Sequence, residues 1–198
     1  MRRDLAVAGL LTAGILATGC RTRFFQVSVH PFFEATDAPG DVAGRWVLEG
    51  EDGEGIELEP AGENEWRVDI FEAKDGEGED KDSGVVVRFG RVGGVLYWDM
   101  TAAESDSAGD LAEEHLLGLH SVARVRVDGD TMEIAFLNPY WVAKAIEEGT
   151  VELAHFREDE DHRSVVLTAP TKELEAFLQA HGDAPEVFSE PEVYHRVQ

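Results

Sequence analysis

Thiols are almost absent from this chain: Cys20 is the only cysteine among 198 residues. A lone thiol excludes an internal disulfide framework. Lysine is scarce too, with four (Lys74, Lys81, Lys144 and Lys172) against 13 arginines. The 41 acidic residues outnumber the 17 basic ones, for a formal net charge of −24. Nucleic acid is thereby excluded as a partner, because neutralising phosphates takes clustered Lys and Arg. Adsorption to anionic lipid surfaces is disfavoured for the same reason. An acid-rich, lysine-poor surface suits high salt, which screens its self-repulsion.

Signatures of catalysis are missing as well. No Gly-x-Ser-x-Gly nucleophile turn occurs. Gly76 and Gly78 lie in an acidic stretch with no helix predicted behind them, so they are no phosphate-binding loop. The histidines are His30, His115, His120, His155, His162, His181 and His195, and no two have His-x-x-x-His or His-Glu-x-x-His spacing. Asp75, Glu77 and Glu79 alternate like the first ligands of an EF-hand. Asp80 then stands where such a loop needs glycine, and no glutamate fills the twelfth position. Residues 75–83 therefore read as a solvated acidic loop. No catalytic residue, metal site or cofactor is predicted.

What is present begins at the N-terminus. Arg2 and Arg3 precede an uncharged apolar run over residues 5–19, 15 residues long. As a helix this run would cover roughly 22 Å, against a hydrocarbon core of about 30 Å. It is short for a membrane span and suits a signal peptide. The run ends Ala17-Thr18-Gly19-Cys20, which resembles the bacterial lipobox. That resemblance implies cleavage between Gly19 and Cys20, diacylglycerol on the Cys20 thiol and acylation of the new amine. Ala17 departs from the usual leucine. The expected partner is then a membrane, reached through lipid on Cys20. The expected location is the bacterial cell envelope, at the outer membrane if the cell is Gram-negative.

Three regions follow from the pattern: a signal peptide at 1–19, a tether at 20–43, and one β-rich domain at 44–198. Within the tether, Phe24-Phe25 and Phe32-Phe33 are apolar enough to pack on the body. From Gly44 the sequence alternates with the period of strands. Trp46 and Leu48 form one face, as do Ile56 and Leu58, then Trp66, Val68 and Ile70, then Val85, Val87 and Phe89. Gly93-Gly94 and Asp128-Gly129 read as hairpin turns. Residues 102–114 form a polar insertion. Asn138-Pro139 starts a helix with an N-cap residue and a proline at its first position. Trp141, Val142, Ala145 and Ile146 make its stripe, and Gly149 stops it. A second helix starts with Thr171 as N-cap and carries Leu174, Phe177 and Leu178 on one face. Residues 193–197 predict a closing strand. The fold class is mainly β: an antiparallel meander of nine or ten strands forming a small barrel or curved sheet, with two short helices near the C-terminus.

Gly44-Arg45-Trp46 at the start of the first strand resembles the Gly-x-Trp motif of lipocalins. The resemblance implies a tryptophan plugging one barrel end and an interior cup for a small apolar molecule. The second lipocalin motif, Thr-Asp-Tyr, is absent. A longer stretch is similar to a group of bacterial envelope lipoproteins without assigned activity. It takes in His120-Ser121, Arg124-Val125, Phe136-Leu137-Asn138-Pro139-Tyr140-Trp141, Leu153-Ala154-His155, Leu167-Thr168-Ala169 and Glu173-Leu174-Glu175-Ala176-Phe177-Leu178. This second resemblance implies an exported setting and no particular chemistry.

Three functions fit these readings. The leading one is a lipid-anchored, non-enzymatic protein whose barrel binds a small apolar or amphiphilic molecule. Arg124 and Arg126, on the face opposite Val125 and Val127, would either hold an anion in the cup or pair with outward acids. The second function is an assembly factor for another envelope protein, with an exposed apolar patch near Trp141 or Phe188. The third is a hydrolase, which requires at least two of His120, His155, Asp99 and Arg124 within hydrogen-bonding reach.

Overall fold

The computed structural model describes residues 27–37, 39–51, 53–74, 77–103, 118–157 and 165–197. Its centre is a closed antiparallel barrel of eight strands. Seven follow one another as a meander: β1 (Gly44–Leu48), β2 (Glu54–Gly62), β3 (Glu65–Lys74), β4 (Glu77–Val92), β5 (Val95–Ala102), β6 (His120–Asp128) and β7 (Thr131–Phe136). The chain then leaves the barrel for helix α1 (Pro139–Glu147), the short strands β8 (His155–Arg157) and β9 (Val165–Leu167), and helix α2 (Thr171–His181). It returns as β10 (Glu192–Arg196), which fits between β7 and β1 and closes the ring. Closure leaves the barrel no unpaired edge. The expected lipocalin-like barrel with two late helices is the architecture found.

Local chemistry explains the turns and caps. Val92 faces Val95 across a two-residue turn in which Gly93 and Gly94 have φ of 61° and 87°. Both values lie where a side chain is strained, so glycine is required at both places. Asn138 caps α1 by accepting from the backbone N–H groups of Tyr140 and Trp141 at 3.1 and 3.2 Å. Such a cap contributes about 1 kcal/mol. Helix α2 begins one residue earlier than expected in capping terms: Pro170 is its N-cap and Thr171 is already helical. Proline presets the extended φ, and the carbonyl of Pro170 accepts from Glu173 and Leu174.

The acidic stretch expected as a loop is instead the distal end of the β3–β4 hairpin. Register continues from Val68↔Val85 to Lys74↔Glu77, across irregularities that absorb extra residues.

Alternate residues of each strand point inward. Trp46, Ile56, Leu58, Val68, Val87, Phe89, Leu96, Trp98, Met100, Ala123, Val125, Met132, Ile134 and Tyr194 form one buried cluster inside the barrel. Its aromatic rings meet edge to face: Trp66 on Phe89 at 5.0 Å and Phe89 on Trp98 at 5.5 Å. Each such pair adds about 0.5–1.5 kcal/mol beyond area burial.

A second core lies outside the barrel wall. Tyr97, Val122 and Ala135 project outward from β5, β6 and β7 and are covered by α1, α2 and the β8–β9 ribbon. Residues 27–43, expected as a tether, also contribute: Val27, Phe32 and Phe33 are buried in this outer core, while Val42 is buried in the cluster inside the barrel. Phe32-Phe33 thus packs on the body as its composition suggests. Ser28 bridges the start of β6 to β9, joining the ribbon to the barrel sheet.

Candidate functional site

Inside the barrel, where a cup is expected, the middle is packed. Trp46, Val87, Phe89, Ala123 and Met132 have no surface that a water molecule can reach. The tryptophan of Gly44-Arg45-Trp46 is anchored there by its Nε1–H, which donates to the Val42 carbonyl at 3.1 Å. The functional features of the described residues lie instead on the outer wall.

One of them is a buried carboxylate. Asp99 stands on the outward face of β5, directly opposite Arg88 of β4 and diagonal to His120 of β6. Its side chain is fully buried. An unpaired carboxylate there would cost several kcal/mol. His120 Nδ1 lies 2.9 Å from Oδ1, and Arg88 Nη2 donates to Oδ2 at 3.4 Å. An ionised carboxylate can only accept, so it is Nδ1–H that donates to it. The pair orients an imidazole in the way a general base requires. Among the described residues no nucleophile is placed against it. Ser121 follows His120 on the opposite, inward face of β6, beside Met100. The Ser28 hydroxyl accepts from the His30 backbone N–H at 3.1 Å. The hydrogen-bonding reach required for a hydrolase is met by His120 and Asp99, while among the described residues the rest of a catalytic set is not assembled around them.

His155 does not join His120. The order of chains across the ribbon is β6, Ser28, β9, β8. Three steps of about 4.8 Å place the two backbones roughly 14 Å apart, too far to share an ion. The His155 ring donates from Nδ1 to the Leu153 carbonyl at 2.8 Å, and the residue is exposed. His181 is held in an aromatic stack, 5.7 Å from Trp141 and 5.3 Å from Phe177. Among the described residues no three His, Cys, Asp or Glu side chains form a metal-binding group.

A second feature is a groove of about 470 Å3 on the outer wall over β5, β6 and β7. Pro39 and Pro191 stand at its sides, and Val95, Ala135 and Glu133 line it together with Arg91, Arg124 and Arg126. Three guanidinium groups in one groove are notable in a chain of charge −24. Arg91 comes from the end of β4 and is paired with Asp37 at 2.7 Å. Arg124 lies in the cross-strand row between Tyr97 and Ala135. Its Nη1 donates to the Gly182 carbonyl at 3.0 Å, and its guanidinium sits 5.1 Å over the Phe188 ring. Arg126 is exposed, directly opposite Glu133 in register. Val125 and Val127 take the inward side of the same strand. The arginines therefore share a face as the spacing predicts, but that face is the outer wall and not an interior cup.

Tyr97 sits beside Arg124, fully buried. Burial pushes its phenol up from 10.0 to about 12, with Arg124 opposing the rise and Asp183 adding to it. Gly182 fits against its hydroxyl, where a Cβ would collide.

Where an exposed apolar patch is expected, near Trp141 or Phe188, Tyr140 beside Trp141 is exposed and the two named residues are largely covered. Phe188 is buried beneath Arg124, 6.0 Å from Tyr97, and Trp141 is half-buried against Phe177. Among the described residues the large exposed apolar side chains are Tyr140 (58 %), Phe156 (61 %) and Val197. Gly19, Cys20 and Asp75, like His115 and His162, lie outside the described residues, as do the side chains of Glu77 and Glu79. Arg88 and Arg91 escape a sequence reading, because the groups that give them meaning arrive from other strands and from residue 37. No protein family, characterised protein or solved structure matches this chain.

Proposed function

We propose that the chain is a lipid-anchored protein of the bacterial cell envelope, held by lipid on Cys20 after cleavage behind Gly19, that carries a small apolar or amphiphilic molecule. The observation that carries the binding half is the groove of about 470 Å3 on the wall of a closed barrel. Its volume falls in the range of about 300–1,000 Å3 used for small ligands. Hydrogen-bonded strands form its floor, a rigid support for a binding surface. With the barrel middle packed, the ligand rests on the wall and not in a cup.

The anchoring half rests on Ala17-Thr18-Gly19-Cys20. Two or three acyl chains hold stably, at about 0.8 kcal/mol per buried CH2. They are needed, since a chain of charge −24 gains nothing from an anionic membrane surface. Seven Cα–Cα steps lead from Cys20 to Val27, where the described body begins. That length reaches at most about 25 Å, so the body works close to the lipid.

Metabolic labelling of the full chain with palmitate tests the anchor: the wild type incorporates label and Cys20→Ser does not. Label persisting in Cys20→Ser overturns it. For the ligand, organic extraction of the purified protein followed by mass spectrometry is expected to release a defined amphiphile. An empty extract from protein taken directly from its native membrane overturns the binding half.

A further inference from the structure

The geometry points to a ligand with an anionic head group, carboxylate or phosphate, bound by Arg124 and Arg126 on the outer wall of β6. This inference rests on the binding reading above and specifies the ligand's chemistry.

Arg124 and Arg126 are two residues apart on one strand, on one face. Successive same-face positions lie about 6.6 Å apart, so both guanidinium groups can reach a single small anion set between them. Neither is neutralised by a carboxylate ion pair among the described residues. Arg124 uses one N–H on a neutral carbonyl, that of Gly182. A guanidinium has five N–H donors in a planar fork, so most of its capacity stays free for an oxyanion. The Phe188 ring beneath it holds the plane in place.

Three acids stand around the groove. Glu133 faces Arg126 across the strands, Asp37 neutralises Arg91, and Asp183 lies near Tyr97. Arg91 is therefore already satisfied and serves as a rim. Glu133 and Asp183 do not form ion pairs with Arg124 or Arg126 among the described residues, so the two arginines retain local positive charge. In a strongly acidic chain, long-range repulsion slows any anion. Retention then depends on short-range bidentate contacts, which guanidinium supplies and ammonium does not. Val95, Ala135, Pro39 and Pro191 give the apolar part of the molecule a surface to lie on.

The experiment uses the processed chain, residues 20–198 with Cys20→Ser, which contains every described element of the fold. Dodecanoate, dodecyl phosphate and dodecanol are titrated below their critical micelle concentrations and followed by calorimetry. The expected result is binding of both anions at least tenfold tighter than dodecanol. Arg126→Gln, at an exposed position, is expected to weaken the anions about tenfold and leave dodecanol unchanged. Arg124→Gln is expected to do the same where circular dichroism shows the fold intact. Dodecanol binding as tightly as the anions overturns the head-group inference and leaves amphiphile binding standing. Failure of all three probes to bind overturns both. Anion binding unaffected by Arg126→Gln and by Arg124→Gln overturns the assignment to these residues.

Discussion

The guanidinium of Arg196 lies 4.3 Å over the ring of Trp46 and ties the last strand of the barrel to the first. The two residues are direct partners in the β1–β10 ladder. From there Arg196 donates to the carbonyls of Ala43 and Asp41 at 2.7 and 2.6 Å, fastening the chain just before β1. One side chain thus fastens the closing strand and covers the buried Trp46 ring. Stacking contributes about 0.5–2 kcal/mol, and each charged hydrogen bond about 1.5–3 kcal/mol before solvent exposure reduces it. Arg196→Ala is expected to lower stability by about 2–3 kcal/mol in urea unfolding followed by tryptophan fluorescence. Arg196→Lys should recover less than half, because an ammonium cannot fork to two carbonyls and stack at once. Full recovery by lysine would mean that charge alone matters.

The Asp99 cluster predicts an order of effects. His120→Ala leaves a fully buried carboxylate with Arg88 at 3.4 Å as its remaining named contact, and should cost about 2–3 kcal/mol. Asp99→Ala leaves two donors, Arg88 and His120, whose side chains are 32 % and 14 % exposed and can turn to water. Its cost should be smaller, about 1 kcal/mol. Chemical denaturation of the two variants side by side measures this, and the reverse order contradicts the account.

Gly90 is the place where residues 27–43 meet the barrel. A Cβ at Gly90 would strike the Phe33 ring and come within 2.6 Å of the Ala35 carbonyl. Gly90→Val should therefore lift this segment while leaving the barrel closed, at a cost of about 1–3 kcal/mol. Hydrogen exchange is expected to quicken at Val29 and Asp37, whose N–H groups bond to Leu167 and Phe89, and to stay slow at Ala123 and Ile134. Equal acceleration in both places would show that the segment and barrel unfold as one unit.

Alkaline pH is predicted to weaken the fold through Tyr97. Its phenol ionises near 10.0 when unfolded and at about 12 when folded, because burial disfavours the phenolate. Between those values the unfolded chain releases a proton that the folded chain keeps, so unfolding becomes easier as pH rises. The contribution is fully present below pH 10 and is lost progressively up to about 12, amounting to roughly 2–3 kcal/mol. Tyr194 shifts in the same direction, by burial first and by Glu192 second. Urea midpoints measured from pH 9 to 12 should fall, and Tyr97→Phe should flatten the fall. An unchanged slope in Tyr97→Phe would assign the loss elsewhere.

Legibility in the sequence follows how many faces of an element are buried. Strands with one covered face, such as Ile56–Leu58 and Trp66–Ile70, alternate plainly and were readable. Strand β5 runs Val95-Leu96-Tyr97-Trp98-Asp99-Met100, with Leu96 through Met100 all buried. Its inner face fills the barrel and its outer face lies under the second core, so alternation disappears, and Asp99 can be named as a candidate acid without its burial being visible. Among 41 acidic residues nothing local marks it. The acidic hairpin end was missed for the opposite reason: composition argued for a loop, and backbone pairing across β3 and β4 overrode it.

The sequence by itself determined the β-rich class, the glycine turns at Gly93-Gly94, the Asn138 cap and the shared face of Arg124 and Arg126. Each of these is set by neighbours within a few residues, through φ restrictions, capping bonds and the two-residue period. Tertiary structure decided which face of β6 looks inward, that Trp46 and Phe89 pack the barrel middle, and which of seven histidines meets a buried carboxylate. Those outcomes depend on ring closure by β10 and on residues 27–43 docking from a distance. A periodic pattern distinguishes two faces of a strand, but only the covering of both by separate cores says what each face can hold.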